Sequence, residues 1–534
     1  MNWNPAFPVF GQSKKTPQRL ALAADGVELG YAELAQRAGR LAAALRSHGI
    51  GRGSRVGILG SRSLIAIEAV LGIAWCGAAY VPLGVRWPER RLLGVLARCR
   101  LDAVIADAGG AQRLTPAVLG ALATTRLLLS PGAAAESMRG AIAPPLLGLE
   151  SLHARTGLIE PEPMEPDDLA YLIFTSGTTG EPKGVRVAAA SVAAYLAALG
   201  ARKAMTPQDR ASQFTELTFD PALGEIFLPW YAGASLHGVP AVSRVSPARF
   251  IRERELTIWG SAPAAIQWLL DTRSLRPGAF PGLRYSSFGG EPLPLASVLA
   301  WQAAAPNSVI DNLYGPTEAT VDCAGQRVEP GATPIVTPGR GVLAIGFAHP
   351  GSELAVLGPD LEPLPAGSAG ELAIAGRQLS LGYLDAPELT AERFPTLAGK
   401  RWYLTGDIAM QDAAGVFHHL GRYDNQIKIQ GHRVELEDIE AHLRAVAGTD
   451  QVAATAWPVE HGVAQAIVGF VAGNTLPASR VRELLRERLP PYMVPAAVRE
   501  LAALPLNANA KLDRNALIEL LAAEAVQSDG PAAG

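Results

Sequence analysis

Residues 171–184 read Tyr-Leu-Ile-Phe-Thr-Ser-Gly-Thr-Thr-Gly-Glu-Pro-Lys-Gly, an apolar run that breaks into glycines, hydroxyls and a single lysine. Four consecutive apolar residues bounded by a turn signal predict a buried strand. After Val185 the stretch Ala-Ala-Ala-Ser-Val-Ala-Ala-Tyr-Leu-Ala-Ala-Leu predicts a helix. In the intervening loop, Gly177 and Gly180 admit positive φ, so that backbone N–H groups can converge into an anion nest. Ser176, Thr178 and Thr179 add hydroxyl donors, and Lys183 adds a mobile positive charge. A strand that opens into a phosphate-cradling loop belongs in an α/β fold. The pattern is not GxxxxGK[ST], which disfavours an ordinary P-loop nucleotidase. GxGxxG is also absent, which counts against a dinucleotide fold.

The rest of the chain alternates in the same way. Helical spacing covers Tyr31 to Ser47 and Leu64 to Trp75. Strands are expected at Arg55–Gly60, near Ala103–Ala106 and near Thr125–Leu129, which predicts α/β subdomains with largely parallel sheets. Residues 131–168 are rich in Ala, Pro, Gly and acids and read as a surface connection. A second α/β run extends to about residue 330, and a smaller β-rich unit spans about 335–420. From Asp424 onward, a helix at 434–446, a strand at 463–473 and a helix at 478–489 predict a compact α+β domain. The expected division is 1–422 and 423–534.

Composition narrows the function classes. The 534 residues are 49% hydrophobic and 18% charged, which is globular rather than disordered. A net charge of −3 with no Lys/Arg-rich run gives no electrostatic case for nucleic acid or an anionic membrane. Cys76, Cys99 and Cys323 are too far apart in sequence for a CxxC pair. No signal peptide or membrane-spanning run is apparent, so the expected location is cytoplasmic. The adjacent His418 and His419 lack partners at metal-ligand spacing and read as surface residues.

Four further segments join the loop. They are Asn312-Leu-Tyr-Gly-Pro-Thr-Glu-Ala-Thr, Tyr403-Leu-Thr-Gly-Asp407, Gly421-Arg-Tyr-Asp-Asn-Gln-Ile-Lys-Ile-Gln-Gly431-His-Arg-Val-Glu-Leu-Glu, and Asn507-Ala-Asn-Ala-Lys511-Leu-Asp-Arg. In this order, from about residue 15 to 514, the chain resembles the adenylate-forming superfamily of acyl-CoA synthetases, peptide-synthetase adenylation domains and luciferases. The resemblance implies ATP and Mg²⁺. It assigns the nucleotide to Thr175, Ser176, Gly177, Thr178, Thr179, Gly180, Lys183, Gly290, Glu291, Asn312, Leu313, Tyr314, Gly315, Asp407 and Arg422. Tyr314 would stack on adenine, Asn312 would meet the base edge, and Asp407 would hold the ribose hydroxyls with support from Arg422. Thr317 would contact the α-phosphate, and Glu318 would ligate the metal. Asp424 matches the superfamily's hinge, Lys428 the lysine of the thioester-forming arrangement, and Lys511 the lysine of adenylation. Ala508 and Ala510 depart from the usual Asn-Pro-Asn-Gly-Lys.

Gln213-Phe-Thr-Glu-Leu-Thr-Phe-Asp-Pro-Ala-Leu-Gly resembles the substrate pocket of peptide-synthetase adenylation domains. Asp220 falls on the carboxylate that pairs with an amino acid's α-ammonium; the plain alternative is that it caps the following turn. Phe219 matches an aromatic position that shifts between conformations. The remaining pocket positions by resemblance are Pro221, Gly224, Gly260, Ser287, Gly289, Leu313, Val321 and Asp322. Three glycines there imply volume and Asp322 adds an acceptor, so the expected side chain is larger than alanine and carries a donor or positive charge. Phe288 or Trp259 filling that space is the bland alternative. About twenty residues follow Lys511, too few for a carrier domain of roughly 70–80. The expected function is amino acid activation followed by transfer to the phosphopantetheine thiol of a separate carrier protein. An acyl-CoA or aryl-CoA ligase is the alternative.

Overall fold

The computed structural model describes residues 3–132, 134–135, 144–177, 182–240, 247–460, 463–474, 476–506 and 512–528. Its contacts divide the chain into two units. The first comprises residues 1–85, 95–174 and 184–423; the second comprises 86–94, 175–183 and 424–534.

The first unit carries two large, mainly parallel sheets flanked by helices, and a smaller antiparallel one. A nine-stranded sheet runs in the order Phe347–Ala348, Ala324–Val328, Val309–Tyr314, Tyr285–Gly289, Ile258–Ser261, Arg210–Gln213, Ser235–Gly238, Leu20–Ala24, Val27–Gly30. Its six inner strands, from Val309–Tyr314 to Leu20–Ala24, are parallel. An eight-stranded sheet centres on Leu169–Thr175, Ala79–Leu83, Arg55–Leu59 and Ala103–Ala106, whose strands are buried along nearly their whole length. Continuous apolar strands of this kind belong between helix layers. The antiparallel sheet is built from Ser352–Leu357, Ala369–Gly376 and Lys400–Gln411, with Phe417–Arg422 paired to the last.

The α/β architecture anticipated from alternation holds, with two local corrections. The helix expected after Val185 begins only at Ala189, because Lys183–Ala188 is itself a strand. Val185 and Val187 are buried while Arg186 between them is half-exposed, so period-2 burial of β-branched residues overrides the run of alanines that follows. The phosphate-loop segment thus joins strand to strand. The connection at 131–168 includes a short strand, Leu146–Gly148, and a 3₁₀ turn, Leu149–Ala154.

Within the second unit, Gln426–Ile429 and His432–Glu435 form a hairpin, and the helix expected from Val434 starts at Leu436. Gln430 and Gly431 both have positive φ, the conformation a two-residue hairpin turn demands. A three-stranded sheet, Val452–Ala456, Ile467–Ala472 and Ala497–Leu501, packs with the Leu436–Ala447 and Ala478–Arg486 helices around Ile439, Leu443, Val471, Val481 and Leu485. In the same unit Ser176 Oγ donates to Arg433 O at 2.8 Å, and Lys183 Nζ lies 3.9 Å from Glu435 Oε1. Among the described residues, no helix is long and apolar enough to cross a membrane.

Candidate active site

The site residues of the first unit gather at the carboxyl ends of its parallel strands, where open α/β sheets place their ligands. Strand register decides which side chains share a face. Gly260 pairs with Ser287, Ser287 with Asp311, and Gly289 with Leu313. Side chains alternate along a strand, so these five lie on one face, towards the Ala189–Lys203 and Pro221–Ala232 helices. Trp259, Phe288 and Ile310 point to the other face and enter a separate core with Trp301 and Phe280. Trp259 and Phe288 therefore do not fill the pocket face.

Asp220 stands at the start of the Pro221–Ala232 helix, yet its side chain makes no capping hydrogen bond. The capping alternative fails. The carboxyl is buried, accepts hydrogen bonds from Thr317 and from the Val321 amide, and is pushed up to about 6 by burial. Its Oδ2 has no hydrogen-bond partner among the described residues.

The donors that face Asp220 come from a strained turn. Thr320 and Val321 have φ of 56° and 73°, a conformation that β-branched residues rarely adopt. Gln378 holds the turn in place. Its Nε2 donates to Asp322 O at 2.7 Å, Ala319 O at 3.3 Å and Thr320 O at 3.4 Å. Gly315 allows the same turn to pass close by, since a Cβ there would stand 2.5 Å from Asp322 Cα. Glu318, 1% exposed, gives Oε1 to the Tyr383 hydroxyl at 2.9 Å. Gln378 and Tyr383 lie outside every motif noted in the sequence, and one buried glutamine between turns carries no local signal of its partners.

The glycine-rich pocket corrects the expectation of volume. A Cβ on Gly224 would meet the Tyr195 hydroxyl at 2.2 Å, and one on Gly289 would meet Leu313 O at 3.1 Å. At Gly260 it would meet Ser287 Oγ at 3.3 Å and Glu225 Oε1 at 3.5 Å. These glycines let neighbours approach rather than leaving a void. Asp322 is buried, with Oδ1 3.3 Å from His349 Nδ1 but in no hydrogen bond, and burial pushes its carboxyl upward. Pro221 is exposed, whereas Phe219 and Leu313 are half-buried.

A second cluster forms where Val309–Tyr314 ends. Asp407 and Arg422 are direct partners across antiparallel strands, so their side chains meet on one face. The Asp407 carboxylate accepts hydrogen bonds from the Tyr314 hydroxyl and from Arg422 Nη1. Arg422 Nη2 donates to Thr405 O at 3.1 Å. His419 Nε2 lies 3.5 Å from Asp407 Oδ1, and its ring centroid is 6.2 Å from that of Tyr314. Asn312 Nδ2 donates to Ala344 O at 2.9 Å. The surface reading of the histidines is corrected: His418 is 2% exposed and 3.1 Å from Asp412, and His419 belongs to this cluster. Gly290 has a φ of 85°, and Glu291 Oε2 accepts from Ala264 N at 3.2 Å. Thr178, Thr179, Gly180 and Lys511 lie outside the described residues.

This fold, with a buried acidic pocket beside a Tyr–Asp–Arg cluster, matches known proteins over nearly its whole length. The family model for AMP-binding enzymes matches residues 9–384, and that for the AMP-binding enzyme C-terminal domain matches 438–511. Tyrocidine synthase 3 of Brevibacillus parabrevis is 33% identical over 95% of this chain and 7% of its own length. A probable non-canonical nonribosomal peptide synthetase, CymA, of Salinispora arenicola (strain CNS-205) is 35% identical over 94% of this chain and 6% of its own. The chain thus spans only a small part of the length of these two curated relatives. The crystal structure of the Vibrio cholerae adenylation domain AlmE in complex with glycyl-adenosine-5'-phosphate is 30% identical, with a TM-score of 0.86 and 98% of each chain covered. The chain belongs to the AMP-binding enzymes, the adenylate-forming ligases, and within them to the adenylation domains of the nonribosomal-peptide-synthetase type.

Proposed function

We propose that the protein condenses an amino acid with ATP to give an aminoacyl-adenylate and pyrophosphate, then transfers the acyl group to the phosphopantetheine thiol of a carrier protein. The observation that carries this reading is Asp220, a buried carboxyl with one oxygen that has no hydrogen-bond partner among the described residues. An unpartnered buried carboxylate is costly, and a substrate α-ammonium would relieve that cost. An acyl- or aryl-CoA ligase has no such cation to offer.

Tyr314 and Asn312 would face the adenine, and Asp407, braced by Arg422, would take the ribose hydroxyls. Thr317, which already touches Asp220, would contact the α-phosphate and so link the two substrates. Glu318 offers the hard oxygen donor that Mg²⁺ prefers, and the ion would supply positive charge to the departing pyrophosphate. Lys183 and the loop amides would act on the same charge. Lys511 would bridge the attacking carboxylate and the α-phosphoryl group, while Lys428 would serve the thioester step after rotation about Asp424. The amino acid taken is short, because Tyr195 closes the pocket at Gly224. The glycyl adenylate bound by the AlmE domain agrees with a short side chain.

Amino-acid-dependent ATP–pyrophosphate exchange tests the first half-reaction. Exchange with a small amino acid and not with its deamino analogue is expected. Equal rates with the analogue would overturn the amino acid reading in favour of the CoA ligase. Acyl transfer to a phosphopantetheinylated carrier protein, compared with free coenzyme A, tests the second half-reaction.

A further inference from the structure

Lys203 closes the Ala189–Lys203 helix and shares its buried face with Val192, Tyr195, Leu196 and Leu199. It is 7% exposed, although a lysine in a last helical turn is ordinarily solvated. Its ammonium donates to Ser287 Oγ at 3.3 Å and stands 5.6 Å from the Tyr285 ring centroid. Ser287 is the cross-strand neighbour of Gly260, and Glu225 borders Gly260 on its other side. The lysine thus touches Ser287, one of the pocket positions, next to Gly260.

Burial pushes the Lys203 ammonium downward, and the carboxylates that hold its charge against this are Asp322, Glu225 and Asp311. Two of them are already engaged. Asp311 accepts from Arg202 Nε at 2.5 Å and Nη2 at 2.6 Å, and also from the Tyr285 hydroxyl. Glu225 accepts from the Phe214 and Thr215 amides, both at 2.9 Å, and from Thr215 Oγ1 at 2.8 Å. Asp322 Oδ1 has no hydrogen-bond partner among the described residues, so the Lys203 charge is its main compensation. Arg202 also acts on Asp322 but is engaged with Asp311, and His349 beside Asp322 is kept neutral by burial, pushed down to about 4.

Resting on the amino-acid-activating reading above, we propose that Lys203 is a built-in cation occupying the seat that a substrate's side-chain ammonium would take, so that the enzyme accepts neutral amino acids and rejects diamino acids. A second ammonium entering the pocket would meet a like charge where little water remains to screen it. Lys203 is thus a specificity-determining residue, and it reverses the inference that Asp322 alone suggests.

The test uses isosteric pairs that differ only in charge, 2-aminobutyrate against 2,3-diaminopropionate and norvaline against 2,4-diaminobutyrate. In wild-type enzyme, ATP–pyrophosphate exchange should favour the neutral member of each pair by about tenfold or more in kcat/KM. Lys203→Met should cut that ratio by a similar factor or invert it. Lys203→Met/Asp322→Asn removes both charges and protects against a folding defect; it should restore the neutral preference. A wild-type preference for the diamino member overturns the proposal without any variant, and so does an unchanged ratio in folded Lys203→Met. Failure of the underlying reading would look different: the deamino acids would support exchange as well as either amino acid.

Discussion

Asp407 and Asp220 are both buried aspartates of the first unit, and they are prepared in opposite ways. Asp407 is surrounded by donors from Tyr314 and Arg422, with His419 close by. Asp220 receives Thr317 and the Val321 amide, while its Oδ2 has no hydrogen-bond partner among the described residues. On the proposed reading, the carboxylate that would hold neutral hydroxyls is oriented by a resident cation. One that must capture a cation is left short of partners until the cation arrives. The contrast teaches that unmet hydrogen bonding marks the charged substrate, and full satisfaction marks the platform for a neutral group.

The largest expected break in this comparison comes from Asp220→Ala. Removing one partner of a buried ion pair costs about 3–5 kcal/mol, on the order of a 10²- to 10⁴-fold loss in amino acid kcat/KM. The KM for ATP should change far less. Exchange kinetics with each substrate varied in turn decide the point; parallel loss for both substrates would place Asp220 outside the amino acid site.

Asp407→Asn should mirror that result at smaller size. Weakening a charge-assisted hydrogen-bond network costs about 1.5–3 kcal/mol, which should appear in the KM for ATP and leave the KM for the amino acid nearly unchanged. Equal effects on both substrates would show that the two carboxylates do not divide the work.

Gly224→Ala sharpens the geometry of the amino acid side. The new methyl would press on the Tyr195 hydroxyl at 2.2 Å, and such overpacking costs about 1–3 kcal/mol. Thermal unfolding and exchange should both register it. Tyr195→Phe in the same chain should recover most of the loss, because the next ring atom stands at 3.1 Å. No recovery would mean that the glycine is needed for another reason.

The smallest effect is a pH dependence. Burial raises the Asp220 carboxyl from 3.8 to about 6, and only its anion attracts an ammonium. Amino acid kcat/KM should fall as pH drops below about 6, level off above it, and lose this limb in Asp220→Asn. Near pH 7 the correction is slight. A wild-type limb that instead tracks the KM for ATP would assign the titration elsewhere.

Much of this could be read from residues in order. The helix–strand–helix alternation read from Tyr31 to Trp75 appears in the structure as Tyr31–Ser47, Arg55–Leu59 and Leu64–Trp75, the strand ending one residue before the expected Gly60, because local period and burial agree there. The Asp407-to-Arg422 cluster was legible because both residues sit in short motifs, and the strand pairing that joins them is local. The amino acid pocket was not. Its glycines suggested space, yet Tyr195, from a different helix, fills it. Lys203 lay hidden in an alanine-rich helix, although its helical spacing from Val192 and Leu196 already placed it on the buried face.

The sequence by itself determined the fold class, the order of the motifs and the identity of each charged side chain. These follow from periodicity and composition, which are properties of neighbours along the chain. Only the tertiary structure decided whether a glycine opens a cavity or admits a neighbour, and whether a buried carboxylate waits for a substrate or already has its cation. Those outcomes depend on which side chains converge from distant elements, and on the loss of water that makes each unmatched charge costly.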